Sequence, residues 1–284
     1  MGMSTFTTLQ SYFYTQLLPC GDCLSTSVQD IITAQAQYVN TAFFVTPAAS
    51  LGEPTHPVLD GSVLTTSLTT TFPSNLKPLL LTTVKDEALP VTYSVFGYPV
   101  PAQDFVSDMT FVLASSTRAN ALANSTFYPY SPYDTDIRPV ISVIATDDMW
   151  RCPTATLAQA WAARGGTAYV GQFTLGATYP GNEAFAGCTS GGVCHQDDIF
   201  IVFGTTPSPS AAQSSLTTEV QGRWSAFMRG NAPNVSGKPT WNPAPSSGPA
   251  NVLNLGGTST IAEGACTPSF WGSVVQFDYQ LFPN

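Results

Sequence analysis

Charge is what this sequence has least of. Only 10% of its 284 residues are charged, 9 Lys and Arg against 18 Asp and Glu, for a net charge of −9. A chain so poor in clustered base is unsuited to nucleic acid or anionic membranes, both of which reward runs of Lys and Arg. Its surface must instead be covered by Ser, Thr, Asn, Gln and Pro. Histidine is scarcer still: two residues, His56 and His195. No pair of C-x-x-C motifs with matching histidines is present, which argues against a zinc site. No apolar run is long enough to form a transmembrane segment, no glycine-rich loop cradles phosphate, and no internal repeat appears, so no metal or other cofactor is implied.

What is present suits a globular α/β chain. The hydrophobic content of 43% is ample for a sizeable core. Six cysteines outside any metal pattern point to disulfides and hence to a secreted protein. The sequons at Asn124-Ser125-Thr126 and Asn234-Val235-Ser236 agree with that compartment, as candidate glycosylation sites. Met1 to Ser11 nevertheless carries no basic n-region and no apolar h-region. The expectation is a fragment or cleaved half whose true N-terminus lies upstream.

Along the chain, Phe6, Leu9, Phe13 and Leu17 recur at helical spacing until Pro19. Cys20-Gly21-Asp22-Cys23 follows and joins this helix to a second, capped by Ser27, in which Val28, Ile31, Ile32 and Gln35 keep the helical period. Joining two helices rather than following a strand, the C-x-x-C reads as a structural disulfide rather than a redox motif. Residues 46–74 read as a long loop with one compact turn, Pro57 to Gly61. Pro78 to Val84 has the continuous apolar and β-branched character of a strand buried on both faces. Phe105 to Arg118 reads as one helix, and Tyr128 to Pro139 as an aromatic, proline-rich loop lying over something. Val140 to Ala145 fits strand or helix. Thr154 is placed to cap a helix that runs through Ala163 to Gly165-Gly166, and Thr167 to Leu175 is a strand with Tyr169, Gly171, Phe173 and Leu175 on one face. Leu216, Val220, Trp224, Phe227 and Met228 form the stripe of a strong helix ended by Gly230. Thr240 to Pro245 and Asn251 to Leu255 read as short closing strands.

Two stretches carry chemistry. Lys85-Asp86-Glu87 stands at the C-terminal end of the buried strand, where open α/β sheets place functional loops; the plain alternative is a solvated turn. Val193 to Thr205 sets His195 just before the apolar run Ile199 to Phe203, whose pattern fits a short helix or an extended segment. A histidine at such a mouth can take up and return a proton near neutral pH if a carboxylate holds its ring.

These two stretches resemble the signatures of type-B carboxylesterases and lipases, the cholinesterase-like α/β-hydrolase family. Lys85-Asp86-Glu87-Ala88 matches the acid segment, with Ala88 where the family has glycine, and Cys194-His195-Gln196-Asp197-Asp198-Ile199 before Val202-Phe203-Gly204 matches the histidine segment. Glu87 and His195 are 108 positions apart, and the family separates its acid and histidine by roughly a hundred. Pro57-Val58-Leu59-Asp60-Gly61 is similar to the family's P-x-x-D-G turn and Trp150-Arg151-Cys152-Pro153 to its D-x-x-F-R-C-P segment. Arg223 to Phe227 through Gly230 to Asn234 is similar to its W-x-x-F-x-x-x-G-x-P-N helix end. The low charge and Ser/Thr/Pro richness resemble secreted fungal members.

The resemblance implies the C-terminal part of an α/β-hydrolase fold, a mostly parallel sheet with helices on both faces, residues 1–284 forming one incomplete domain. It implies a Ser-Glu-His triad hydrolysing a carboxylic ester, with Glu87 orienting His195 and His195 activating a serine. No G-x-S-x-G is present; the nearest stretch, Gly257-Thr258-Ser259-Thr260-Ile261, lacks the final glycine and follows the histidine. Since the family order is Ser, acid, His, the nucleophile is expected upstream, in an N-terminal half acting as partner. The alternative is a non-catalytic product or a cholinesterase-like binding or adhesion module. Disulfides are expected between Cys20 and Cys23 and between Cys188 and Cys194 as short local loops, leaving Cys152 for Cys266. The family's disulfide beside the first helices supports the first pair. A Glu87 carboxylate oxygen should lie about 2.6–3.2 Å from Nδ1 of His195, with His56 elsewhere.

Overall fold

The structure is a computed structural model that describes residues 3–18, 23–45, 61–63, 65, 72, 74–113 and 115–275. The chain divides into two compact units, Met1–Phe72 and Pro73–Asn284. His56, Cys20 and the turn at 57–60 lie outside the described residues, and with Cys20 the proposed Cys20–Cys23 pair.

In the first unit, helix α1 (Met3–Tyr12) passes into one π-helical turn, Phe13–Leu17, where the Leu18 amide closes on the Phe13 carbonyl at 2.8 Å. Helix α2 (Val28–Val45) is started by Ser27, whose hydroxyl accepts the Asp30 amide and donates to the Asp30 carboxylate. The stripe Val28, Ile31 and Ile32 is not its packed face: these residues are 73%, 37% and 52% exposed. Ala34 and Ala42 are buried instead, with Tyr38 between them meeting Phe13 edge-on. Ala34, Tyr38 and Ala42 follow one another at i, i+4 spacing on one face, and the two small side chains let a neighbouring element approach more closely than a branched stripe would.

The second unit is built on a parallel three-stranded sheet, β1 (Leu79–Val84), β2 (Ala168–Phe173) and β3 (Leu253–Leu255), in that spatial order. Pairing Val84 with Phe173 and Phe173 with Leu255 puts Tyr169, Phe173, Val84 and Leu255 on one face. There they pack on helix α10 (Ala211–Gly230) through Leu216 and Val220. Val170 and Thr83 face the other way, beside Ala155 of helix α7 (Cys152–Ala163). β2 is buried throughout, as a central strand should be, but Leu79 to Thr82 of β1 are only half-buried. The strand expected to be covered on both faces is an edge strand among the described residues, with a strand neighbour on one side only.

Between β1 and β2 the chain forms α3 (Leu89–Val95), α4 (Phe105–Leu113), α5 (Ser116–Ala123) and α6 (Arg138–Thr146). Phe105 to Arg118 is thus two helices. Extended Ser115 accepts the Arg118 amide through its hydroxyl, and Arg118 caps the Leu113 carbonyl, so local side-chain bonds outcompete continuation of the helix. Thr154 caps nothing: α6, a π-turn at Asp147–Arg151 and α7 form one unbroken helical run. Pro153 has no N–H to give, and just before it the run departs from α-geometry, the Cys152 amide closing the π-turn on the Asp147 carbonyl. The second core collects Phe105, Met109, Leu122, Ile141 and Ile144 with Phe270 and Trp271 from the C-terminal segment, pinned by the Cys152–Cys266 disulfide.

Helices α8 (Ala186–Thr189) and α9 (Ile199–Phe203) lie between β2 and α10, so the apolar run after His195 is helical. In α10, Met228 is 76% exposed and leaves the buried stripe. Asn231, at φ 62°, rather than Gly230, supplies the left-handed stop. Thr240 to Pro245 forms no strand. Its prolines cannot sustain a ladder, and it docks through the Ala244 amide on the Ala168 carbonyl and the Trp241 indole on the Val170 carbonyl.

Candidate functional site

β1 delivers its last residues to the C-terminal edge of the sheet, where the loop after β2 returns. Lys85 continues the ladder by donating to the Phe173 carbonyl. Asp86 then bridges to the loop before His195: its amide donates to the Val193 carbonyl at 2.8 Å, and its carboxylate accepts the Val193 amide at 2.9 Å. This backbone bridge sets the two loops in fixed register. Glu87 follows and is 7% exposed. One carboxylate oxygen accepts the Val84 amide at 2.9 Å, folding the side chain back over the end of β1, and the other lies 2.7 Å from Nδ1 of His195. Ala88, where the family pattern has glycine, has φ −84°, which any L-residue adopts, and its amide donates to the Thr146 hydroxyl.

The His195 side chain is 52% exposed at this edge, while the carboxylate it meets is buried. Its loop is fastened by the Cys188–Cys194 disulfide, both cysteines buried. The Trp150 ring, on the π-turn, lies 5.9 Å from the imidazole, tilted by 48°. Burial pushes the Asp198 carboxyl above the ordinary carboxylate range; nearby Glu87 adds to that rise and His195 opposes it. Asp197 is raised too, chiefly by burial, against the pull of the donors around it.

A buried carboxylate on Nδ1 fixes the ring's orientation and stabilises the imidazolium formed when the opposite nitrogen takes a proton. Such a pair has the geometry that general-base chemistry requires. Ser259 is the centre of the stretch nearest to a nucleophile motif. Exposed, it lies in a turn after β3 that doubles back through an antiparallel Leu253–Thr260 bridge, with no helix behind it to form a nucleophile elbow.

A model of the carboxylesterase family matches residues 14–270. The chain belongs to the carboxylesterase family. A search of curated proteins finds no match. Membership carries with it an α/β-hydrolase fold, with which the small parallel sheet and its flanking helices agree.

The remaining sequence candidates take no part in the Glu87–His195 contact. Cys152 joins Cys266. Asp147 lies near both sulfurs, the one grouping of metal-ligand types among the described residues, but a disulfide offers no thiolate to a metal. Asn124 is exposed at the end of α5. Asn234 is also exposed, yet its amide holds both the N–H and the C=O of Trp241. Sequence reasoning passed over Thr146 and Asn182 altogether; a lone threonine in a helix and a lone asparagine in a loop carry no periodic or motif signal. Among the described residues no helix is long and apolar enough to cross a membrane.

Proposed function

We propose that the chain is the acid-and-base part of a serine carboxylesterase site. Glu87 holds the Nδ1 proton of His195, and Nε2 accepts the proton of a serine hydroxyl as it attacks an ester carbonyl; the imidazolium then returns that proton to the leaving alcohol. The observation that carries this reading is the 2.7 Å contact between a buried glutamate and a half-exposed histidine at the C-terminal edge of a parallel sheet in a member of this family. The serine is assigned to a separate N-terminal segment, because no residue of the chain sits in a G-x-S-x-G setting. That segment would complete one α/β-hydrolase domain with residues 1–284. Two disulfides and an exposed sequon at Asn124 support a secreted setting.

The test is labelling by a serine-directed phosphonate. The chain alone should take up none, and co-expression with a strand–turn–helix segment bearing G-x-S-x-G should restore stoichiometric labelling. In that assembly His195→Ala should lower kcat by at least about a thousandfold. Labelling of the chain alone, abolished by mutating one of its own serines, would overturn the divided site. Full assembly without activity would favour the binding-module alternative.

A further inference from the structure

Beneath His195 lies a second buried arrangement that the proton chemistry does not use. Asp197 is 1% exposed and has no Lys or Arg partner among the described ion pairs. One carboxylate oxygen accepts the Cys194 amide at 2.7 Å, and the Asp197 amide donates back to the Cys194 carbonyl at 2.9 Å, closing a ring around the residue before the histidine. The other oxygen accepts the Tyr179 amide at 2.7 Å and the Asn182 side-chain amide at 2.8 Å. An amide nitrogen has two protons to give, and Asn182 directs the second to the carbonyl of His195 itself, also at 2.8 Å. Asn182 is 8% exposed.

The sheet supports this pair from below. The Asp197 carbonyl accepts the Ala177 amide, and a Cβ on Gly176 would stand 2.8 Å from that carbonyl oxygen and 2.9 Å from the Asp197 Cβ. Only glycine lets the chain leaving β2 press this close. Between Cys194 and Asp197 the backbone turns through Gln196 at φ 75°, a left-handed conformation that a non-glycine residue holds only when its surroundings fix it. Both oxygens of this buried carboxylate are answered by N–H dipoles rather than by a cation. What it secures is direction: with the backbone held on both sides of His195, the Cα–Cβ bond is aimed at Glu87.

We propose that Asp197 and Asn182 are positioning residues for His195, acting through its backbone to keep Nδ1 on the Glu87 carboxylate. The proposal rests on the acid-and-base reading above. A displacement of about 1 Å at a reacting group can cost on the order of a hundredfold in rate, so this anchoring bears directly on catalysis.

The test uses the full chain and needs no activity. Long-range 1H–15N spectra of the imidazoles report which ring nitrogen carries the proton, and with only two histidines a His56→Gln variant assigns them. In the unsubstituted chain above neutral pH, His195 should be a single Nδ1–H tautomer. Asn182→Ala and the size-conserving Asn182→Asp and Asp197→Asn should convert it to a mixture of tautomers while the melting transition stays cooperative. A purely structural role would shift the melting temperature and leave the tautomer alone. Retention of the single Nδ1–H form in every folded variant would overturn the proposal, as would loss of folding in all three. Glu87→Ala separates the two readings: if it leaves the tautomer unchanged, the acid–base assignment fails, independently of Asp197 and Asn182.

Discussion

Individual residues in this fold are constrained most tightly where backbone and side chain must share one volume. Gly171, in the middle of β2, faces Trp241 and Leu255; an added Cβ would sit 2.7 Å from Trp241 Cζ2 and 3.1 Å from Leu255 Cδ1. The indole cannot retreat, because its Nε1 is bonded to the Val170 carbonyl at 2.8 Å. Gly171→Ala should therefore destabilise by about 1–3 kcal/mol through overpacking, read as a lower denaturant midpoint with an unchanged slope. Nearby Arg223 is wholly buried and donates to Glu219 and to the carbonyls of Pro233 and Pro239. It ties the end of α10 to the segment that brings Trp241 into place.

At the scale of elements, the helices between β1 and β2 are joined by a polar clasp. Arg138, opening α6, reaches the Asp136 carboxylate at 2.7 Å through Nη2, donates to the Phe96 carbonyl just past α3, and stacks over Tyr93 at 4.4 Å. Hydrogen bonding by Arg138 holds the Asp136 carboxyl below the ordinary range, with backbone amides of Arg138 and Val100 assisting against burial. A carboxylate depressed in the folded state contributes stability that is fully present above its unfolded value, near about 3.9. That contribution is lost as pH falls through the lower folded value. Asp136→Asn should lower the urea midpoint at neutral pH, and its curve should begin to converge with that of the unsubstituted chain only below about pH 4, meeting it as pH falls through the lower folded value. A constant offset down to the lowest pH would exclude Asp136 as the source.

For the molecule as a whole, the C-terminal segment is the closing piece of the larger unit. The Cys152–Cys266 disulfide spans 114 positions. Beside it runs a chain of bonds: the Trp271 indole donates to the Tyr128 hydroxyl, which donates to the Asp147 carboxylate, which also holds Arg151. Burial, with Asp147 next, pushes the Tyr128 phenol far up, so it stays a neutral donor throughout the working range. Replacing Cys152 and Cys266 together by serine should cost about 2–4 kcal/mol, since a loop this long confers large conformational freedom on the unfolded chain. Thermal unfolding with and without reductant measures it, the double variant showing no further reductant effect from this bond.

How much of this was legible in the sequence differs by kind of interaction. The strand leading to Lys85-Asp86-Glu87, the alanine-rich helix before Gly165 and the stripe of α10 follow from period and propensity, which act over a few neighbours. Glu87 and His195 stood out because each adjoins a dense apolar run, and their spacing matched a family pattern. Sequence left open whether Ile199 to Phe203 coils or extends, since five apolar residues satisfy both periods. It misassigned the exposed face of α2 and the two faces of β1, because burial depends on which neighbours arrive from far along the chain. Joining of α6 and α7 through a π-turn, the Asn182–Asp197 anchor and the 2.7 Å approach of Glu87 to His195 were likewise decided in three dimensions. The sequence by itself determined which residues could exchange a proton; only the packing of two loops on one sheet edge determined that these two face each other, because side-chain direction is set by contacts no local pattern contains.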